Sequence, residues 1–159
     1  ELNLATGVKD TDGNPIASDL VAVEMAGIPE LVGKDYADMD KWGNKADPNR
    51  VANPDNLFFS QKMNTLFIGE DSGLHANNYV WAFNVETRKL SRILSVPIGA
   101  ESTGLQVLDN LGGHAYIMSN HQHRGERIDV ADEALRTALK KSVDMQKASV
   151  GYIEGLPGM

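Results

Sequence analysis

The sequence predicts a mainly β protein built from antiparallel four-stranded units, with one short surface helix. Three observations carry this. Short runs of aromatic and β-branched residues alternate with polar turn clusters between Asn56 and Pro97. A second pair of such runs flanks Asp109-Asn110-Leu111-Gly112-Gly113, which has hairpin composition. A single stretch, Val130–Ala148, changes to a period of three to four residues.

The 159 residues suffice for one domain with a sizeable core, or for part of a larger one. Hydrophobic residues make up 42% and charged residues 23%, which excludes a fully disordered chain. No apolar run approaches the roughly 20 residues of a spanning helix, so no membrane span is expected. A net charge of −7, with no Lys/Arg cluster to offset it, argues against nucleic acid as a partner. Cysteine is absent, which excludes disulfides and thiolate metal sites within these residues.

Before Asn53 the signals are sparse. Asp10-Thr11-Asp12-Gly13-Asn14-Pro15 is a turn cluster, and Leu20–Met25 reads as a strand. Residues 33–53, rich in Asp and Asn and broken by Pro48, read as a long ordered loop or a short helix flanked by loops. Four strands follow, at Leu57–Phe59, Leu66–Ile68, Tyr79–Val85 and Leu90–Val96, joined as an up-down meander. Gly104–Leu108 and His114–Met118 form the next hairpin. A helix is expected over Val130–Ser142 with Asp129 as its N-cap, and Val150–Ile153 closes the unit.

The two units overlay with an offset that drifts from 46 to 49 residues, close to the length of a β-propeller blade. The division expected is 1–52 for the end of a preceding blade plus a long loop, 53–98 for one complete blade, and 99–159 for the following blade with its helical insertion. In a propeller the first strand of each blade lines the central channel. Each unit here opens with a carboxylate just before that strand, Asp55 in one and Glu101 in the other. Carboxylates from neighbouring blades can surround a hard cation such as Ca²⁺, which takes six to eight oxygens. Asn53, Asn56 and Thr103 are adjacent oxygen donors. The same Asn-Pro-Asp-Asn run is equally an excellent β-turn.

Glu70 and Asp71 end the second strand of their unit and are supporting candidates. Adjacent strand residues face opposite ways, so one of the two at most points into a given site, and a solvated loop accommodates both. His121 and His123 stand at i and i+2, on one face if the segment is extended, which suits a transition metal or a phosphate. Exposed loop histidines would look the same. Phe58, Phe67, Trp81, Phe83 and Met118 are expected in the core, and Trp42 is a lid or plug candidate. No Walker loop, nucleophile elbow or H-E-x-x-H helix is present.

Several segments taken together resemble one family. Asn53-Pro-Asp-Asn-Leu, Ile68-Gly-Glu-Asp, His75-x-Asn-Asn-x-x-Trp-Ala-Phe, Gly99-Ala-Glu-x-Thr, Gly112-Gly-x-Ala-Tyr-Ile-Met, Gln122-His-x-Gly-Glu and Val150-Gly-Tyr-Ile resemble, in order and spacing, the PhoX-type alkaline phosphatases. The likeness covers about the last two thirds of the chain. It implies a six-bladed propeller whose channel holds calcium and iron and hydrolyses phosphomonoesters. This chain would be a C-terminal portion of about two blades, inactive alone, partnered by the remaining blades or by another copy of itself. It implies export to a periplasmic or extracellular location. Asp55 would match a channel-lining acidic metal ligand and Glu101 a second acidic position; Asn53, Asn56, Glu70, Asp71, Thr103 and His123 are possible supporting residues from the residue pattern itself. The family's iron-bridging cysteine has no counterpart here, and Arg124 stands where the pattern commonly has proline. Two rival expectations are a non-catalytic propeller that binds a partner through its blade tops, and a calcium-dependent lactonase-like hydrolase.

Overall fold

The computed structural model describes residues 1–145 and 147–159 and divides the chain into two compact units, 1–32 and 33–159. The first unit is a two-stranded antiparallel ribbon, β1 (Leu2–Ala5) with β2 (Val21–Met25). Its long connection is organised by Asp10, whose carboxylate accepts from the Asp12 and Asn14 backbone N–H groups at 2.9 and 2.8 Å. These are Asx-turn bonds, the chemistry that made this segment legible as a turn. Strand β1 is an element that the sequence pattern did not reveal; four residues are too few for a period to show.

The second unit carries two sheets. β3 (Pro54–Ser60), β4 (Thr65–Glu70), β5 (Tyr79–Asn84) and β6 (Lys89–Ser95) form the expected four-stranded antiparallel meander in sequential order. β7 (Glu101–Leu111), β8 (His114–Gln122) and β9 (Ser149–Pro157) form a second antiparallel sheet with three strands rather than four. The hairpin between β7 and β8 turns at Gly112 and Gly113, with Leu111 paired to His114. Both glycines have positive φ, the conformation that this turn requires.

Between β8 and β9 lies α1 (Glu133–Ser142), the one α-helix among the described residues and shorter than expected. Its N-cap is Asp132, which accepts from the Leu135 N–H at 2.8 Å, and not Asp129. Asp129 falls instead within a 3-10 turn over Ile128–Val130, so the chain reaches helical geometry one turn later. Asp132 sits three residues before Leu135, the spacing at which a capping side chain meets an N3 amide.

The core lies where the two sheets meet. Phe67 and Val80 of the first sheet pack with Leu105, Val107 and Ile117 of the second. Trp81 and Phe83 are buried as expected, and Phe58 packs partly buried at the edge of the cluster. The sheets approach closely at one point: a Cβ on Gly69 would stand 2.3 Å from the Ser102 carbonyl oxygen. Only glycine lets these two backbones meet. Nearby, the buried hydroxyls of Ser102 and Ser119 lie 3.1 Å apart.

β3 and β7 pack against each other at the join. The Ser60 hydroxyl, at the end of β3, donates to the Asp109 carboxylate in β7, 49 residues further on. That separation is the upper end of the 46–49-residue offset between the two units. The end of β3 and the distal part of β7 are therefore spatial neighbours.

Candidate functional site

At the opposite end of the β3–β7 join, where both strands begin, acidic side chains gather. Glu101 opens β7 with a carboxylate 13% exposed. Its pKa is raised, first by burial, then by the charge of Asp71, with Asp55 adding to the push. A hydrogen bond from Thr103 and the charge of His123 act the other way. Asp71 follows the end of β4 and Asp55 lies at the start of β3, so two other strands direct negative charge at the carboxyl group that opens β7. Glu101 thus has Asp55, Asp71, Thr103 and His123 within electrostatic reach.

His123 occupies a left-handed backbone conformation, φ 54°, immediately after β8 ends. That conformation breaks the extended geometry on which a shared face with His121 depends. The two imidazoles accordingly go separate ways. His123 places Nε2 3.9 Å from Glu101 and Nδ1 2.9 Å from Glu126. His121 sets Nδ1 3.3 Å from the Ser149 hydroxyl, and its Nε2 is buried without a partner. Burial, and secondarily the Arg124 guanidinium, lower its pKa.

The remaining candidates are tied into the scaffold. Asn53 is itself at φ 43°, and its carboxamide oxygen accepts from the Ser72 hydroxyl at 2.8 Å. Asn56 donates to the exposed carboxylate of Asp55.

Glu70 is fully buried, a correction to the solvated-loop reading of this residue. Its Oε1 accepts from the Ala52 N–H at 2.9 Å and from the Trp81 indole at 2.7 Å. Its Oε2 accepts from the Tyr79 N–H at 3.0 Å and faces His75 Nδ1 at 3.0 Å. Four partners occupy a carboxylate's usual lone-pair sites, which leaves none for a metal. Asp71, the next residue, lies just beyond the end of β4 and is exposed.

The segment that carries His123 is seated on the turn that leads into β7. Gly125 N–H donates to the Ile98 carbonyl at 2.7 Å. A Cβ on Gly99, at φ +67°, would come within 2.4 Å of the Arg127 backbone nitrogen. This close seating is what delivers His123, itself paired with Glu126, to Glu101. Glu126 was not among the sequence candidates; its signal was the i,i+3 spacing from His123, which reads equally as an ordinary surface pair.

The donor set suits a hard cation in kind. Carboxylates and a hydroxyl are calcium ligands, and mutual repulsion among carboxylates is what a divalent ion relieves. Among the described residues no three His, Asp or Glu side chains stand close enough to hold a metal by themselves, so further oxygens would have to complete the shell. Iron fits less well: the chain has no cysteine to bridge it, and His123 is already engaged by Glu126. No helix among the described residues is long and apolar enough to cross a membrane. Comparison with protein-family models, with curated proteins and with solved structures finds no match.

Proposed function

We propose that this chain is part of a calcium-dependent phosphomonoester hydrolase of PhoX-like propeller type, its two sheets serving as neighbouring blades. What supports the reading is the environment of Glu101. A half-screened carboxyl group, pushed up by burial and by Asp71 and Asp55, marks a place where negative charge converges with no protein cation among these groups except His123. The packing of β3 on β7, with the Ser60–Asp109 hydrogen bond between them, supports a reading as adjacent blades whose first strands lie side by side.

In this reading Asp55 and Glu101 contribute ligands to a calcium whose shell is completed by oxygens from elsewhere in the full-length protein, with Asp71 as a supporting charge, and Thr103 orients Glu101 through its hydrogen bond. Calcium, when bound, supplies positive charge to the phosphoryl oxygens. His123, fixed between Glu101 and Glu126, contributes a cation or a hydrogen-bond donor on the exposed side of the cluster. No step is assigned to iron.

The test is p-nitrophenyl phosphate hydrolysis by the full-length protein, with and without calcium. Asp55→Asn and Glu101→Gln are expected to lower kcat/KM by about tenfold or more each, the scale on which loss of a metal's supporting ligands is felt. Turnover indifferent to calcium and to both substitutions would retire the reading. Bound calcium with lactone but not phosphate-ester turnover would favour a lactonase-like enzyme instead.

A further inference from the structure

The two sheets of the second unit meet through unlike faces. The first brings Phe58, Phe67 and Val80 to the join, and the second brings Leu105, Val107 and Ile117. The contact runs chiefly through one strand of the second sheet, β7, which packs on both β3 and β4. Side chains alternate across a sheet, so each sheet has another face turned away from the join.

The strand ladders show what those outward faces are. Phe67 and Ile68 overlay Tyr116 and Ile117 in the repeat. Phe58 stands opposite Phe67 as Leu108 stands opposite Tyr116, and Leu57 stands opposite Ile68 as Val107 stands opposite Ile117. The outward face of the second sheet is therefore the counterpart of the face that the first sheet buries. There Leu108 is 42% exposed, and Tyr116 lies edge-on to Tyr152, itself 61% exposed. The outward side of β3 is the counterpart of the β7 side that fills the join, with Leu57 61% and Phe59 50% exposed. Further across the first sheet that face is closed, since Ile68 and Trp81 are buried. A single strand is again what it offers. Open apolar patches of this kind mark contact surfaces.

We propose that a second copy of this chain covers them, Leu57 and Phe59 of one copy seating on Leu108, Tyr116 and Tyr152 of the next. The occupant follows from the join already made: one chain carries both halves of a second joint of the same pattern, on opposite sides. Contact between unlike patches is heterologous, so it repeats head to tail and either closes into a ring or continues as a filament. Met118 pairs with Tyr152 as Gly69 pairs with Val80, and it stands where glycine lets the backbones touch in the first join. The second joint is accordingly wider and weaker than the first. Neither calcium nor phosphate has a part in it.

Sedimentation velocity of the 159-residue chain is the test. Mass is expected to rise with concentration above the 17.3 kDa of one copy. Added salt should strengthen the association, because it screens repulsion between chains of net charge −7. Leu57→Glu and Leu108→Glu, both at exposed positions, should each sediment as single copies. Mixed one to one, they should form a pair and go no further, since each keeps the half that the other lacks. The Trp81 indole N–H signal, from a buried ring bonded to Glu70, reports whether each variant is folded. Phe59→Glu and Tyr152→Glu replace a variant that is not. A native chain that stays single up to about 1 mM, the weak end of specific association, overturns a second copy as the occupant. Variants that associate like the native chain, or whose mixture stays single, overturn the pairing of these two faces.

Discussion

His75 Nδ1 lies 3.0 Å from Glu70 Oε2, and both side chains are wholly shielded from solvent. The imidazole's other nitrogen faces the Asp47 carbonyl at 3.2 Å. This pair joins the long loop, the end of β4 and the start of β5. Around it Asn44 accepts from the Ala76 N–H and Asn78 donates to the Ala100 carbonyl, so the knot fixes the turn that precedes Glu101.

Removing one member strands the other. Glu70→Ala leaves the Ala52 and Tyr79 amides, the Trp81 indole and His75 without their acceptor. A loss of about 3–5 kcal/mol is expected in urea unfolding, the cost of breaking a buried pair. Asp71→Asn, one residue on and exposed, should change stability by less than about 0.5 kcal/mol. Equal effects at the two positions would contradict this account.

Glu101 sets a pH signature. Its folded-state pKa lies above its unfolded value, so the native state binds the proton more tightly. Stability from this group is present at low pH and is lost as pH rises from the unfolded carboxyl value through the raised one. Carboxyl NMR titration should place the midpoint above that of a free glutamate. Asp71→Asn should lower it further than Asp55→Asn, because Asp71 exerts the larger push. The reverse order would show the geometry of the cluster to be different.

His121 acts with the opposite slope. Burial, aided by Arg124, depresses its pKa, so the unfolded chain binds the proton more tightly. Stability is present above the unfolded histidine value of about 6.5 and is lost as pH falls below it. His121→Phe should flatten the dependence of the unfolding midpoint on pH between about 5 and 7. An unchanged slope in the variant would assign that dependence to another group.

Gly69→Ala tests the join between the sheets. The new methyl would meet the Ser102 carbonyl at 2.3 Å, and backbone on both sides leaves nothing soft to move. A cost of about 1–3 kcal/mol is expected, from overpacking. Gly151→Ala, in a strand with nothing within 4 Å, serves as the control and should be nearly silent.

The meander of β3–β6 was legible because its strands are short, apolar and separated by turn residues, a purely local signal. The position of α1 was legible by its period, and its cap was misplaced because Asp129 and Asp132 both precede the apolar run. Strand alternation separated Glu70 from Asp71 but not which of them turns inward. That depended on Trp81, Tyr79 and His75, which supply donors from other elements. A cleft beside α1 was invisible for the same reason: Trp42 and Leu139 lie nearly a hundred positions apart, and only the fold brings them to one wall each. Asp55 and Glu101 were singled out by the repeat, whereas the stronger influence of Asp71 on Glu101 follows from where β4 ends.

The contact between Ser60 and Asp109 ties the last residue of β3 to the distal part of β7. The two sheets are therefore fastened by a polar clasp as well as by the apolar cluster of Phe67, Val80, Leu105, Val107 and Ile117. Prising them apart would have to undo both together.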